Sequence, residues 1–411
     1  MSLNILLIHG MDKNISSISG VEDVELLFPK YDKKNNYHVH NCNYHLVDFI
    51  KKINYNGIIM TSTFLDHVKR YDSDSSWINQ YSFLKDTKAY KVVFSQDDYW
   101  LSSVRDDFYT QYKIDLVLPS VLASSWEDLL PKYFKSGNMI QGYTSYLTPH
   151  IESLSKYSKP WKERKIDFFY RASSTSSFPN KLGKVKSEIG KTFENTLNKE
   201  TVTYNLDIET IDYNSGNILT GRKWYEYLGN SKATLGSNSG SSVKIKNHLI
   251  AEKVNKALED KKNFDSVLEQ IPYEDQEKNY TGISPRNLEA AFTKTLQILV
   301  PGQYGNILKP YHDYIPLQED CSNIKEVLEI FSSQSKCEEI IDNCYDSFKD
   351  FEDISVRKTL KLILSRIESK QINIIENHYQ MKIVKFKLIL LLPFLKFINV
   401  YSKVIKKLFS K

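Results

Sequence analysis

The stretch from Thr281 to Gly305 reads TGISPRNLEAAFTKTLQILVPGQYG and contains three recognisable structural signals. Ser284 followed by Pro285 is typical of a helix start. Serine caps the free backbone amides, and at the first helical position the N–H that proline lacks would have no partner within the helix. Gln297–Val300 is an apolar run of strand length, and Pro301–Gly305 is a loop whose glycines let a ligand approach the backbone. The stretch therefore predicts a helix, strand and loop unit of an α/β domain. The inward stripe of its helix is formed by Leu288, Ala291, Phe292 and Thr295.

Strand-length apolar runs separated by helix-sized segments recur along most of the chain, which predicts the α/β class with two Rossmann-like domains facing a cleft. The polar stretch YSKPWKERK at Tyr157–Lys165 is typical of a linker. We expect domains at residues 1–158 and 159–350, followed by helices and a basic amphipathic tail at 351–411. The other predicted strands are Asn4–His9, Gly57–Thr61, Lys91–Ser95, Ile114–Pro119, Ile166–Tyr170, Thr201–Leu206 and Ala233–Leu235.

Length and composition agree with this organisation and exclude several classes of protein. The 411 residues exceed the roughly 250–300 that one core supports. A net charge of +5 is too small to indicate a nucleic-acid partner, and none is expected. The N-terminus lacks the basic region of a signal peptide, which predicts a protein that is not exported. The four cysteines have no zinc or disulfide spacing and are interpreted as reduced cytosolic thiols: Cys42, Cys321, Cys337 and Cys344.

Glu289 is unexpected in the second turn of the helix that Pro285 begins, because its neighbours are apolar. A carboxylate at that position can face the cleft and accept two hydrogen bonds from a vicinal diol such as a nucleotide ribose. Arg286, one turn earlier, could bind a phosphate. The alternative is a half-exposed acid that the helix dipole favours.

Two further segments could bind phosphate at the same edge of the second sheet. Lys232–Ser242 is a short strand that opens into a loop of small residues, whose successive N–H groups can form an anion nest. An ordinary flexible loop is the alternative, and neither a P-loop nor G-x-G-x-x-G is present. Arg171 ends the first predicted strand of the second domain, where a guanidinium can neutralise a pyrophosphate.

Three segments carry a family resemblance: YRAS…LGKVKSEIG, WYEYLGNSKATLGSNSGSS, and the run ISPRNLEAAFTKTLQILVPGQYG with its continuation to residue 330. Together they resemble the C-terminal domain of bacterial GT-B glycosyltransferases, in particular the CgeB-like and surface-polysaccharide group. The resemblance spans about residues 165–330. It implies transfer of a sugar from a nucleotide donor with no metal and no cofactor, with the acceptor on the N-terminal domain.

The resemblance also implies roles for individual residues. Glu289, with Pro285 and Ala290, matches the segment that holds the donor ribose, and Arg171 matches the arginine that stabilises the departing nucleotide. Relatives often have glutamate where this chain has Asn238, a departure that leaves the choice of donor open. The predicted donor-binding set is Arg171, Asn238, Ser239, Gly240, Ser241, Ser242, Ser284, Arg286, Glu289, Gly302 and Tyr304.

On the acceptor side, two strand-end residues are candidates for the catalytic base. Asp98 follows a predicted strand and could deprotonate an acceptor hydroxyl, with a solvated turn as the alternative. His9 ends the first strand, where a lone histidine can also be structural. A metal site is disfavoured for the cluster at His38, His40, Cys42 and His45, because the surrounding asparagines are typical of a polar edge strand.

The C-terminal residues 381–411 contain lysines interleaved with apolar residues and no acid. The apolar run is shorter than the roughly 20 residues of a spanning helix, which predicts a helix lying on the anionic inner face of the cell membrane. A packed terminal helix of the globular domain is the alternative. We therefore expect a cytoplasmic, peripherally attached enzyme acting on a glycan or lipid-linked acceptor. Polyol-phosphate transfer from a CDP-linked donor and a non-catalytic carbohydrate-binding role remain alternatives.

Overall fold

The computed structural model describes residues 2–11, 23–70, 75–173, 180–211, 218–260 and 262–370. The tail at 381–411, and with it the predicted membrane contact, lies outside the described residues. Within the described ranges, no helix combines the length and the apolar character needed to cross a bilayer.

The first domain is built on a six-stranded parallel sheet with the order β2-β1-β3-β4-β5-β6. The four strands predicted for this domain from apolar runs are all present. They are buried on both faces, which explains why each appears in the sequence as an apolar run rather than an alternation. The strands are β1 (Asn4–His9), β2 (Asn36–Asn41), β3 (Gly57–Met60), β4 (Tyr90–Ser95), β5 (Leu116–Pro119) and β6 (Asn138–Met139).

Short helices cover this sheet and connect its strands. They are α1 (Phe28–Tyr31), α2 (Asp48–Lys51), α3 (Ser62–Arg70), α4 (Ser75–Asn79), α5 (Ser102–Gln111), α6 (Trp126–Leu129), α7 (Pro131–Ser136) and α8 (Pro149–Glu152).

The second domain is built on a five-stranded parallel sheet with the order β13-β12-β9-β7-β8, and β10 and β11 form a separate antiparallel pair. The strand predicted at Thr201–Leu206 begins at Leu206 instead, because β8 is a half-exposed edge strand whose side chains alternate in polarity. The strands are β7 (Ile166–Ser173), β8 (Leu206–Ile211), β9 (Ser231–Gly236), β10 (Ser239–Ser241), β11 (Tyr280–Gly282), β12 (Leu296–Leu299) and β13 (Ile315–Pro316).

The helices of the second half include the one that begins at Pro285, as its sequence predicts. Ser284 accepts a hydrogen bond from the backbone of Arg286, and Asn287 completes the capping box. The helices are α9 (Lys181–Leu197), α10 (Gly221–Gly229), α11 (His248–Glu259), α12 (Phe264–Leu268), α13 (Pro285–Phe292), α14 (Ile324–Ser332), α15 (Gln334–Lys349) and α16 (Val356–Ser369).

The last described helix returns to the first domain. A side chain on Gly57 of β3 would overlap Ile367 of α16, so the helix lies directly against the first sheet. Lys370 pairs with Asp115 at 2.7 Å and extends this contact. The segment from 351 to 370, expected to be a separate appendage, is therefore part of the surface of the first domain.

Residues 242–260 and 262–279, between β10 and β11, dock on the first domain. The amide of Ser102 donates to the carbonyl of Ile245 at 3.1 Å, and Lys244 pairs with Asp128 at 2.5 Å. An apolar cluster that includes Leu101 and Val254 fills the junction. The two domains therefore meet along a continuous interface beside the cleft.

Candidate active site

A cavity that opens to solvent lies at the carboxyl end of the second sheet between α10 and α13. Open α/β sheets bind their ligands at this edge. Its lining includes Tyr170 of β7, Lys186 of α9, Trp224 of α10, Gly236 of β9 and Arg286 of α13. The cavity is therefore the main candidate site of the second domain.

Two cations line this cavity, and neither forms a salt bridge with a described residue. Lys186 is half-buried; its backbone carbonyl accepts a hydrogen bond from the hydroxyl of Tyr170 at 2.6 Å, but its ammonium group has no hydrogen bond to a described residue. Arg286 is also half-buried, and its guanidinium lies 5.7 Å from the ring centre of Trp224. Because unpaired charge in a partly dry cavity is costly, the arrangement is that of an anion-binding site.

Burial and the neighbouring charge of Arg286 lower the pKa of Lys186 to about 8, and Asp97 of the first domain partly offsets this. A bound anion would add to the charge of Asp97 and favour the protonated lysine.

Glu289 lies behind the cavity rather than in it. It is fully buried, and Nε1 of Trp224 donates to its Oε2 at 2.9 Å. Its Oε1 has no hydrogen-bond partner among the described residues. Desolvation raises the pKa of Glu289 to about 7. The hydrogen bonds from Trp224 and Tyr225 and the charge of Arg286 lower this pKa but do not cancel the effect of burial. The carboxylate holds Trp224 in place, and the predicted ribose contact stays a prediction that requires the indole to move.

The small-residue loop is only partly at the site. Ser239 and Ser284 line the cavity. Ser241 and Ser242 are buried and bonded elsewhere: the amide of Ser242 donates to Asn180 at 2.8 Å. Gly240 pairs with β11 at φ +131°, a conformation that glycine adopts without strain. Instead of forming the predicted phosphate nest, Ser242 therefore anchors the start of α9, and the hydroxyl of Ser241 donates to the carbonyl of Val243 at 2.8 Å, so the polar groups of both serines are already satisfied.

Asn238, Gly302 and Tyr304 form the wall beside this loop. Asn238 donates to the carbonyl of Pro301 at 3.1 Å, and a side chain on Gly302 would overlap its amide. Tyr304 is buried and donates to the carbonyl of Val300 at 2.5 Å. Neither Gly302 nor Tyr304 lines the cavity, so both have a supporting position rather than the predicted contact position.

Arg171 points away from the cavity. Its guanidinium bonds the carboxylate and carbonyl of Asp207 on β8 and lies 3.5 Å from Glu209. The side chain is only 12% exposed. Its charge is therefore already compensated, and the structure places Lys186 and Arg286, not Arg171, where an anion would bind.

Asp98 does not face the cleft either. It is fully buried, its Oδ1 accepts from Arg105 at 2.9 Å, and the Ser95 hydroxyl donates to the same oxygen. This is a structural ion pair of the first domain, which corrects the interpretation of Asp98 as a base. Asp97 is the exposed acid of the pair, held in left-handed backbone at φ +53°.

His9 ends β1 and is half-buried, and burial lowers its pKa. Its Nδ1 accepts from the amide of Met11 at 3.3 Å. His9 does not line the cavity of the second domain. No group of three or more metal-ligating side chains occurs among the described residues, and His40 of the edge strand contacts Tyr81 at 3.0 Å.

Solved structures provide the comparison for the whole chain. One is an α-glucosyltransferase in complex with UDP and a 13-mer DNA containing an HMU base, with a TM-score of 0.50 and 10% identity over 89% of this chain and 100% of that one. Another is a glycosyltransferase from Rickettsia africae ESF-5, with a TM-score of 0.52 and 11% identity over 91% of this chain and 100% of that one. No protein-family model and no curated protein matches the sequence.

The chain has the GT-B fold. This fold places the carboxyl ends of two parallel sheets across a cleft, and the cavity with its two cations lies at that edge of the second sheet.

Lys186 is the site residue that sequence reasoning missed, and the sequence does contain a signal for it. Gly183 and Gly190 lie three residues before and four residues after Lys186, on one face of α9. A side chain on Gly190 would overlap Tyr170 of β7, so the glycines mark the face that packs closely on the sheet. A lysine on that face, near the strand end, reaches the cavity.

Proposed function

We propose that this protein is a glycosyltransferase that moves a sugar from a nucleoside diphosphate sugar to an acceptor hydroxyl. The observation that carries the proposal is the pair of cations without a salt bridge, Lys186 and Arg286, at the strand ends of a GT-B fold. One neighbour in fold was solved with UDP, which makes UDP the first nucleotide to test. The DNA in that complex is a ligand of that protein, and we do not propose DNA as the acceptor here.

In the proposed reaction the acceptor oxygen bonds to the anomeric carbon of the sugar, and the acceptor hydroxyl releases its proton to solvent. The bond between that carbon and the diphosphate oxygen breaks, and its electron pair goes to the diphosphate. Lys186 and Arg286 would stabilise the negative charge that develops there, as preorganised cations do in other group transfers. The two side chains supply this stabilisation without a metal ion.

Cell-surface polysaccharide assembly is the proposed context, on the basis of the resemblance of residues 165–330 to the CgeB-like and surface-polysaccharide group. The lysine-rich segment 381–411 supports attachment to the inner face of the membrane and thus a glycan or lipid-linked acceptor.

A screen of UDP, GDP and CDP sugars for thermal stabilisation tests the donor class, since a ligand that binds only the folded state raises the melting temperature. Incubation of the stabilising donor with acceptor glycans, followed by mass spectrometry, then tests transfer. A product heavier by one sugar residue supports the proposal. A phosphodiester product identifies a polyol-phosphate transferase, and binding without turnover identifies a non-catalytic protein; either result rejects it.

A further inference from the structure

A groove of about 640 Å³ lies on the first domain between the end of α1 and helix α16. Its volume is within the roughly 300–1,000 Å³ that is usual for ligand clefts, and it is open to solvent. The apolar part of its wall consists of Tyr31, Leu360 and Leu364. Among the described residues that line it, none belongs to the predicted donor or acceptor sites. The groove is therefore a feature that the proposed transfer reaction does not use.

Three cations line this groove, and within the described part of the chain none of them forms a salt bridge. They are Lys30 of α1 and Arg357 and Lys361 of α16, and all three are exposed. Arg357 and Lys361 are four residues apart, so their side chains lie on one face of the helix. The guanidinium of Arg357 lies 5.4 Å from the ring centre of Tyr31 and connects the two walls. The groove therefore presents positive charge that no described carboxylate pairs with.

The two carboxylates of the groove are already bonded to neighbouring groups. Asp32 accepts hydrogen bonds from the side-chain amide of Asn35 at 2.7 Å and from the hydroxyl of Tyr37 at 2.9 Å. Glu368 lies 3.6 Å from the ammonium group of Lys34. An anion that approaches the three cations therefore displaces no ion pair.

The groove lies beside the place where the described chain ends. Glu368 of its wall is close in sequence to Lys370, the last described residue. The chain continues to residue 411, and its residues 381–411 contain eight lysines and no acid. Because the groove and this segment carry charge of the same sign, they repel each other and are both attracted to an anionic surface. Charge therefore disfavours the chain's own C-terminal segment as the occupant of the groove.

The mixture of cations and apolar groups identifies the kind of surface that fits. Lysine and arginine reach lipid phosphates, while the half-buried Tyr31 and Leu364 match the boundary between head groups and acyl chains. A free phosphate would use the cations and leave the apolar wall without a contact. A second copy of this chain would bring the same cations together, which charge repulsion opposes. An anionic lipid surface satisfies both parts of the groove.

We propose that the groove between α1 and α16 binds the head groups of anionic lipids, with Lys30, Arg357 and Lys361 as the contact cations. The proposal rests on the membrane placement within the proposed function, and it adds a contact on the folded domain that does not include residues 381–411. It determines which face of the first domain meets the membrane. Sugar transfer is not part of it, so the two can fail separately.

The test measures cosedimentation of the full chain with phosphatidylcholine vesicles that contain or lack phosphatidylserine. One basic residue near an anionic surface strengthens binding by about fivefold. The double variant Arg357→Gln with Lys361→Gln should therefore lower the partition coefficient on phosphatidylserine vesicles by about 10- to 25-fold. Both positions are exposed, so the melting temperature should match that of wild type.

The matched control is Lys325→Gln with Lys336→Gln. These lysines lie on α14 and α15 of the second domain, are equally exposed and form no salt bridge to a described residue, so the change in net charge is the same. We expect less than a twofold change in the partition coefficient. Replacing chloride by inorganic phosphate at equal ionic strength should also leave vesicle binding unchanged, because a free anion does not use the apolar wall.

The contribution of the C-terminal segment is separated by a second background, the full chain with Lys403→Gln, Lys406→Gln and Lys407→Gln. This background should bind phosphatidylserine vesicles more weakly than wild type. The groove substitutions should lower binding by a similar factor in both backgrounds, because the two contacts are distinct.

Several outcomes overturn the inference. They are no binding of wild type to phosphatidylserine vesicles, equal binding to vesicles without phosphatidylserine, wild-type binding by the groove variant, an equal loss in the control, or displacement by inorganic phosphate. A dimer of wild type that dissociates in the groove variant identifies a second copy as the occupant. Faster chymotryptic cleavage of residues 371–411 in that variant, without lipid, identifies the chain's own segment. A protein that binds vesicles as expected but transfers no sugar overturns only the proposed reaction.

Discussion

Replacing the two cavity cations should weaken nucleotide binding far more than replacing the arginine that the sequence favours. Lys186→Met and Arg286→Met each remove a charge that no described residue pairs with, and methionine keeps most of the side-chain length. Arg171→Met removes a charge that Asp207 and Glu209 already compensate. The three substitutions are otherwise closely matched.

The expected size follows from the contacts that each side chain can make. A hydrogen bond to a charged group contributes about 1.5–3 kcal/mol, and about 1.4 kcal/mol is a tenfold change in Kd. Lys186→Met and Arg286→Met should therefore each raise the Kd of UDP by about 10- to 150-fold. The double variant should lose less than the sum, because both cations would contact one diphosphate.

Isothermal titration of UDP against wild type, the three single variants and the double variant is the assay, with circular dichroism to confirm folding. For Arg171→Met we expect a Kd within about twofold of wild type and a lower melting temperature, because two carboxylates lose their partner. An unchanged Kd in Lys186→Met and Arg286→Met, or an equal loss in Arg171→Met, would refute the assignment of the anion site.

Four further changes test other parts of the structure. UDP affinity should fall as pH rises through about 8, where Lys186 loses its proton, and titrations of Lys186→Met should show no such step. In the folded protein Glu289 keeps its proton up to about pH 7, whereas in the unfolded chain it releases the proton near pH 4.5. The melting temperature of wild type should therefore fall as the pH rises from about 4.5 to 7, and that of Glu289→Gln should not fall in this way. Gly240→Ala should lower the free energy of unfolding in urea by about 3 kcal/mol, because the left-handed φ and a facing carbonyl both oppose a side chain. Asp98→Ala should cost about 3 kcal/mol of stability by removing the buried partner of Arg105, whose remaining carboxylate, Asp66, lies 3.9 Å away at the surface. The folded fraction should nevertheless keep its transfer rate; an inactive but stable variant would restore Asp98 as the base.

The amino-acid sequence by itself determined the α/β class, most of the strands and the start of the helix at Pro285. These features follow from local signals: apolar runs, turn residues and a serine cap act over a few neighbouring residues. The edge strand β8 was misplaced for the same reason, since its half-exposed side chains alternate in polarity and form no apolar run.

The tertiary structure alone decided which charged residues are available to a ligand. Arg171 is neutralised by Asp207, 36 residues away, and Asp98 is buried against Arg105, whereas Lys186 was brought to a cavity wall without a salt bridge to a described residue. A charge is free or compensated according to what lies within a few ångströms of it, and those neighbours come from distant parts of the chain. Residue type and spacing therefore predicted the kind of site, and only packing showed which side chains form it.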